Sequence, residues 1–170
     1  MTDAAVGTGR IGGFDKAQLA RLIALFLPLA LLGGALSSQY LGGLTPCEMC
    51  YWQRYPHAAA ILLAALSFTA PAIAPRSRAL VLLAAVAIAV SGAIGVYHAG
   101  VELDIFEGLT TCTTTASGTG AELLKEIMNA PLVRCDQVQF SFLGISMAGW
   151  NAILSLGAAL AILLLSRKAQ

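Results

Sequence analysis

Four stretches of this chain are each about as long as a bilayer is thick and contain no Asp, Glu, Lys or Arg. They run Leu22–Leu41, Tyr55–Ala74, Ala79–Val101 and Phe142–Ser166, and the two histidines, His57 and His98, fall in the second and third. A helix needs about 20 apolar residues to cross the hydrocarbon core. Backbone groups in lipid must find partners within their own segment, so each stretch is expected to be helical. Barrel strands would alternate in polarity, whereas these runs are continuous and rich in Leu and Ala. The expected fold is therefore all-α: a four-transmembrane-helix bundle forming one membrane domain over residues 1–170.

Composition closes off the soluble alternative. Only 11% of the residues are charged and 58% are hydrophobic, with mean hydropathy +0.78. A soluble domain carries roughly 25% charged residues, so lipid is the solvent for most of this chain. The net charge of +1 argues against a nucleic-acid partner.

The basic residues set the orientation. Arg10, Lys16 and Arg21 precede the first span, Arg76 and Arg78 sit in the turn between spans two and three, and Arg167 and Lys168 follow span four. The opposite side has Arg54, Lys125 and Arg134 against seven acids. Both termini are then cytoplasmic, and the loops at about 42–54 and 102–141 face outward, into the periplasm of a bacterium. No small-x-small cleavage site closes the first apolar run, so it is expected to stay as a span. Residues 1–16 are expected to be a disordered cytoplasmic tail.

Within the spans, Pro28 with Gly33-Gly34 predicts a kink and close helix packing. Gly42-Gly43 and Pro46 break the chain before a helix that begins within Cys47–Cys50. In the second loop, Cys112 lies in a threonine-rich stretch and Ala121–Ala130 has the spacing of a short amphipathic helix. Pro131 ends that stretch, and Cys135 follows.

All four cysteines, Cys47, Cys50, Cys112 and Cys135, fall in the two outer loops. Core packing would also place cysteine inside the spans. Structural zinc suits the Cys47–Cys50 spacing, but Cys112 and Cys135 make no second knuckle and the loop has no histidine. Inert disulfides do not account for a Cys-x-x-Cys beside a membrane, and redox exchange does. A helix N-terminus and a cation lower a thiol's pKa. Cys50 falls in the first turn of span two, with Arg54 four residues on. These expectations make Cys50 the thiolate.

A thiolate at a membrane edge needs an electron acceptor, and the chain has no haem, flavin or iron–sulfur signature. A quinone dissolved in the bilayer, ubiquinone or menaquinone, suits the position. Arg54 and His98 are the candidates to bind it, and Tyr51, Trp52 and Tyr55 are either pocket walls or interface anchors. His57 is read as packing, and Trp150 as an anchor or helix contact.

These residues together resemble the DsbB family of bacterial inner-membrane disulfide-bond formation proteins. The resemblance covers the four spans, the Pro46-Cys47-x-x-Cys50…Arg54 segment, the loop with Cys112 and Cys135, and Phe142–Met147. It implies that a reduced DsbA-like periplasmic thiol oxidase attacks a Cys112–Cys135 disulfide at Cys112, and that freed Cys135 attacks Cys47. Cys50 is then released as a thiolate and forms a charge-transfer or covalent adduct with quinone, and closure of Cys47–Cys50 leaves quinol. It also implies that Arg54 is the quinone-site arginine and His98 the span-three histidine. Gln53 departs from the family pattern, in which many members carry an acid there.

Three rivals remain open at the level of sequence. A vitamin K epoxide reductase-like protein would place its Cys-x-x-Cys after the loop pair, the reverse of the order here. A dedicated DsbB paralogue would serve one specialised substrate. A non-catalytic membrane scaffold would use its disulfides only as braces.

Overall fold

The computed structural model describes residues 10–11, 14–108, 120 and 134–167. Four long helices dominate it: α1 (Lys16–Tyr40), α2 (Glu48–Ser67), α3 (Pro75–Glu102) and α4 (Met147–Arg167). Two short antiparallel ladders accompany them. β1 (Arg10–Ile11) pairs with β2 (Phe14–Asp15), and β3 (Ser141–Phe142) with β4 (Ile145–Ser146). At the N-terminal side, β2 leads directly into α1, which begins at Lys16; residues 1–9, 12 and 13 of the expected tail lie outside the described residues. Cys112 and the amphipathic stretch 121–130 lie outside the described residues.

Successive helices run antiparallel, as polar contacts at both ends attest. Near the chain termini, Arg21 Nη2 of α1 donates to Ser67 O at the end of α2 at 2.9 Å, and Arg78 Nη2 of α3 donates to Ser166 O at the end of α4 at 3.5 Å. At the opposite end Arg54 Nη2 of α2 donates to Ala35 O of α1 at 3.2 Å. Arg21 also stacks on Phe68, 4.1 Å from the ring centroid. Its charge is therefore spent on the carbonyl end of α2, where a cation is favourable.

The interior is made of small side chains. Ala24, Ala60, Ala64, Ala84 and Ala159 are buried together around Ile88 and Ile162. Large apolar residues such as Phe26, Leu62, Leu83, Ile153 and Leu160 point outward. That inversion suits a lipid solvent, in which helices associate through close backbone approach and not through apolar transfer. The α3–α4 crossing is the clearest case: a Cβ on Gly95 would lie 3.0 Å from Ala148 O and 3.1 Å from Ala152 N. Gly33 and Gly34 behave otherwise. Among the described residues neither meets anything within 4 Å of an added Cβ, so the expected close packing is not made there by these residues, and Gly34 borders a cavity instead.

Three helices, α1, α3 and α4, are long and apolar enough to cross a bilayer, among the described residues. By rise per residue, the 25 residues of α1 span about 37 Å against roughly 30 Å of hydrocarbon. The remaining helix, α2, does not reach that apolarity, because Glu48, Gln53, Arg54 and His57 occupy its first half. Those polar residues are the ones that build the site. Of the expected second span, Tyr55–Ala74, only the part to Ser67 is helical, and α2 begins earlier, at Glu48.

Candidate functional site

Pro46 precedes an extended Cys47, which is the N-cap of α2. Its side chain takes the role usually played by a Ser or Asp oxygen: Cys47 Sγ accepts the Cys50 amide hydrogen at 3.3 Å. The helix terminus thus points its amide at Cys47, where the sequence argument had aimed it at Cys50. One turn on, Cys50 Sγ comes within 2.8 Å of Cys47 Sγ. Both sulfurs lie ahead of the apolar part of α2.

The pair shares its proton unequally. Cys50 is held below the ordinary thiol range, chiefly by the hydrogen bond from the Cys47 thiol and further by a backbone contact with Cys47 and the Arg54 charge; burial and Glu102 oppose this. Cys47 is pushed well above that range by the same hydrogen bond, by burial and by the neighbouring Cys50 charge. Arg54 exerts its effect from a tethered position. Its Nη1 donates to Gln39 Oε1 at 2.5 Å, and its guanidinium lies 5.1 Å from the Tyr51 ring centroid.

Tertiary folding brings His98 and Cys135 to the same point. His98 Nε2 is 3.5 Å from Cys47 Sγ, and donor atoms of Cys47, His98 and Cys135 all lie within 4.8 Å of one another. Cys47 and Cys135 are buried in one small cluster with Met49 and Val101, against which Cys50 and Tyr97 pack. Beside Cys135, Arg134 forms an ion pair with Asp136, which holds the Asp136 carboxyl below its usual range. The histidine that the sequence does not place near the cysteines is therefore supplied by α3. The spacing suits thiol exchange between Cys135 and Cys47.

Behind the sulfurs lies a polar core that sequence reasoning missed. Gln53, His57, Ser91 and Asn151 are joined by hydrogen bonds across the α2–α4 diagonal. Asn151 Nδ2 donates to Gln53 Oε1 at 2.7 Å, and His57 Nε2 lies 2.8 Å from Asn151 Oδ1 and 2.9 Å from Ser91 Oγ. Ser91 Oγ donates to Gln53 O at 2.9 Å. His57, read from sequence as packing, is thus a hydrogen-bonded member of the centre, and its Nδ1 has no partner among the described residues. The sequence signal was present: a Gln, a His and an Asn inside otherwise apolar helices are costly unless paired.

A cavity of about 250 Å³ opens beside the sulfurs. Leu31, Leu32 and Ala35 of α1 form one wall, and Phe140, Phe142, Met147 and Trp150 another. Cys47, Cys50, Gln53, Arg54, His57, His98, Glu102 and Asn151 supply its polar lining. Trp150 is oriented by its Nε1 donating to Phe142 O at 3.0 Å. Tyr51, Trp52 and Tyr55 do not line this cavity; Trp52 and Tyr55 are 38% and 68% exposed, on the outer face. Of the two sequence expectations for these aromatics, the pocket role is corrected. The helix face that carries Cys50, Gln53, Arg54 and His57 turns inward, and the aromatics turn out.

Among known proteins, the chain is similar to an uncharacterized protein of Rickettsia prowazekii (strain Madrid E), with 25% identity over 146 residues, 84% of this chain and 83% of that protein. No solved structure matches it. The family model described as Disulfide bond formation protein DsbB matches residues 17–165, which include all four helices except their outermost residues. The apolar helices and this match together make the chain a membrane protein that belongs to the DsbB family of disulfide bond formation proteins.

Proposed function

We propose that this protein re-oxidises a DsbA-like periplasmic dithiol oxidase and passes the electrons to membrane quinone. The observation that carries the reading is the convergence of Cys47, Cys50, His98 and Cys135 beside one mainly apolar cavity. Cys112 and Cys135 are the pair that meets the partner, and Cys47 and Cys50 the pair that meets the quinone. The site would sit in the bacterial inner membrane with its sulfurs on the periplasmic side, α2 from about residue 55 and the turn after it, to about residue 74, forming the fourth span. Arg21 and Arg78 at the opposite end of the bundle suit that orientation.

The residues fit a quinone. Ligand sites of this kind are mostly apolar with a few convergent polar groups, and here α1 and the Phe140–Trp150 region supply the apolar walls. Arg54 is the group that would hold a carbonyl oxygen, while His98 lines the same cavity. A bound quinone supplies acceptance of two electrons and two protons, which balances conversion of one dithiol to one disulfide. The chain's own part is thiol chemistry. A thiolate attacks a disulfide sulfur and expels another thiolate, and the exchange between the two pairs runs from Cys135 to Cys47, with Cys50 as the leaving thiolate. The Arg54 charge favours that thiolate on Cys50. The surrounding apolar side chains exclude water from the exchange.

The test is turnover of the purified full-length protein in detergent with a reduced DsbA-like oxidase and a short-chain ubiquinone or menaquinone, followed by the quinone's ultraviolet absorbance. Turnover is expected, and Cys47→Ser and Cys50→Ser should each abolish it. Full-rate turnover by Cys50→Ser would overturn the mechanism, and no turnover with either quinone would overturn the function.

A further inference from the structure

Two backbone carbonyls fix the proton positions around His98. A carbonyl can only accept, so the Asn151 amide nitrogen is the atom 3.2 Å from Ser91 O. That nitrogen then donates to Gln53 Oε1 at 2.7 Å. The Gln53 amide nitrogen, in turn, donates to Met49 O at 3.1 Å. The two anchors agree on the same orientation of Gln53. Its remaining hydrogen faces His98 Nδ1 at 2.8 Å, and Nδ1 must therefore accept. The tautomer of a histidine is set by the bond its other nitrogen makes. The single ring proton consequently sits on Nε2, which faces Cys47 Sγ at 3.5 Å and Glu102 Oε1 at 3.8 Å.

We infer that Gln53, itself held by Asn151, is a positioning residue that locks His98 as a neutral Nε2–H donor toward the Cys47 sulfur. A second proton, on Nδ1, would set two N–H groups against each other at a site where His98 is 3% and Gln53 7% exposed. The charged and titratable groups around the ring are Cys47, Cys50 and Arg54 from the α2 side, Glu102 on α3 and Cys135 from the segment preceding α4. Of these, a Cys50 thiolate favours an imidazolium, as does a hydrogen bond to the Cys135 backbone, and so does the Glu102 carboxylate. It lies on the Nε2 side, where it is served by the proton already there. From α1 the cavity receives apolar side chains and Ser38. His98 then works as a fixed dipole on the exchanging sulfur and not as a proton carrier. This role deepens the proposed thiol–quinone function and rests on it for its purpose, but the lock itself rests only on the hydrogen-bond pattern.

The chain has two histidines, so a ¹⁵N-histidine spectrum of the full-length protein contains two rings, and His98→Gln identifies which signals belong to His98. The expected result is a protonated Nε2, an unprotonated Nδ1 and no titration between pH 5 and 8. Gln53→Glu replaces the donor by an acceptor. It should add a proton at Nδ1, bring a titration into that window and turn a flat pH profile of quinone reduction into a sloping one. Gln53→Met removes the donor without adding an acceptor, so the neutral ring should populate both tautomers instead of Nε2–H alone. A wild-type His98 that titrates normally, or that carries its proton on Nδ1, overturns the lock, whether or not the variants fold. A protein with the expected spectrum but no quinone reduction would overturn the proposed function and leave the lock standing.

Discussion

His98 Nε2 lies 3.5 Å from Cys47 Sγ, although 51 residues separate them in the chain. The contact joins the end of α3 to the N-cap of α2, and it gives the buried sulfur a second donor beside the Cys50 amide. His98→Phe removes that donor and leaves the Gln53 amide without its acceptor. One lost hydrogen bond costs about 1.4 kcal/mol, or about tenfold in rate. Quinone reduction should therefore slow by about tenfold while the protein remains folded, and an unchanged rate would dismiss the contact as incidental.

Cys50 is the thiol held below the ordinary range in the reduced pair. Its folded-state pKa is lowered, so the thiolate appears at a lower pH than in an ordinary cysteine and is lost only as pH falls through that depressed value. Alkylation with iodoacetamide near neutral pH should label Cys50 before Cys47, which is buried and raised. Arg54→Met withdraws a favourable charge and should move the alkylation midpoint upward. Mass spectrometry of the labelled peptides checks both the order and the direction.

Gly95 and Gly34 should respond in opposite ways to added bulk. A Cβ at Gly95 would meet the α4 backbone at 3.0 Å, so Gly95→Val overfills the α3–α4 crossing. A loss of about 1–3 kcal/mol is expected, read as a lower unfolding midpoint in detergent. Gly34 borders the cavity with open space around it. Gly34→Leu should keep the midpoint and raise the KM for quinone with little change in kcat, the mark of lost ground-state binding.

Asn151 ties α2, α3 and α4 together through Gln53, Ser91, His57 and Ser155. Asn151→Leu strips partners from buried polar atoms. Such atoms cost roughly 1–3 kcal/mol each when left bare. The variant should unfold at a lower denaturant concentration than wild type and should also lose the fixed His98 tautomer. A variant as stable as wild type would mean that water or a rearranged Gln53 replaces the bonds.

The sequence by itself determined that the chain is a bundle of apolar helices. Runs of about 20 residues without charge leave the backbone no partner except itself in lipid. It also determined which side chains are chemically able to exchange electrons, since four cysteines confined to two loops are a pattern of composition and spacing. The tertiary structure alone decided which of them meet. In a soluble helix the apolar stripe marks the buried face, but these helices are apolar on all sides and face lipid and core alike. What separates the two faces is size, with Ala24, Ala60 and Ala84 inside and Phe26, Leu62 and Leu83 outside, and size contrast is too weak along one strand of sequence to orient a helix. For that reason the inward turn of His57, the exclusion of Trp52 and Tyr55 from the cavity, and the meeting of His98 with Cys47 follow from helix packing. Gln53 and Asn151 read singly as polar residues in apolar helices; only the α2–α4 diagonal, which brings the two amides to 2.7 Å, makes them one device.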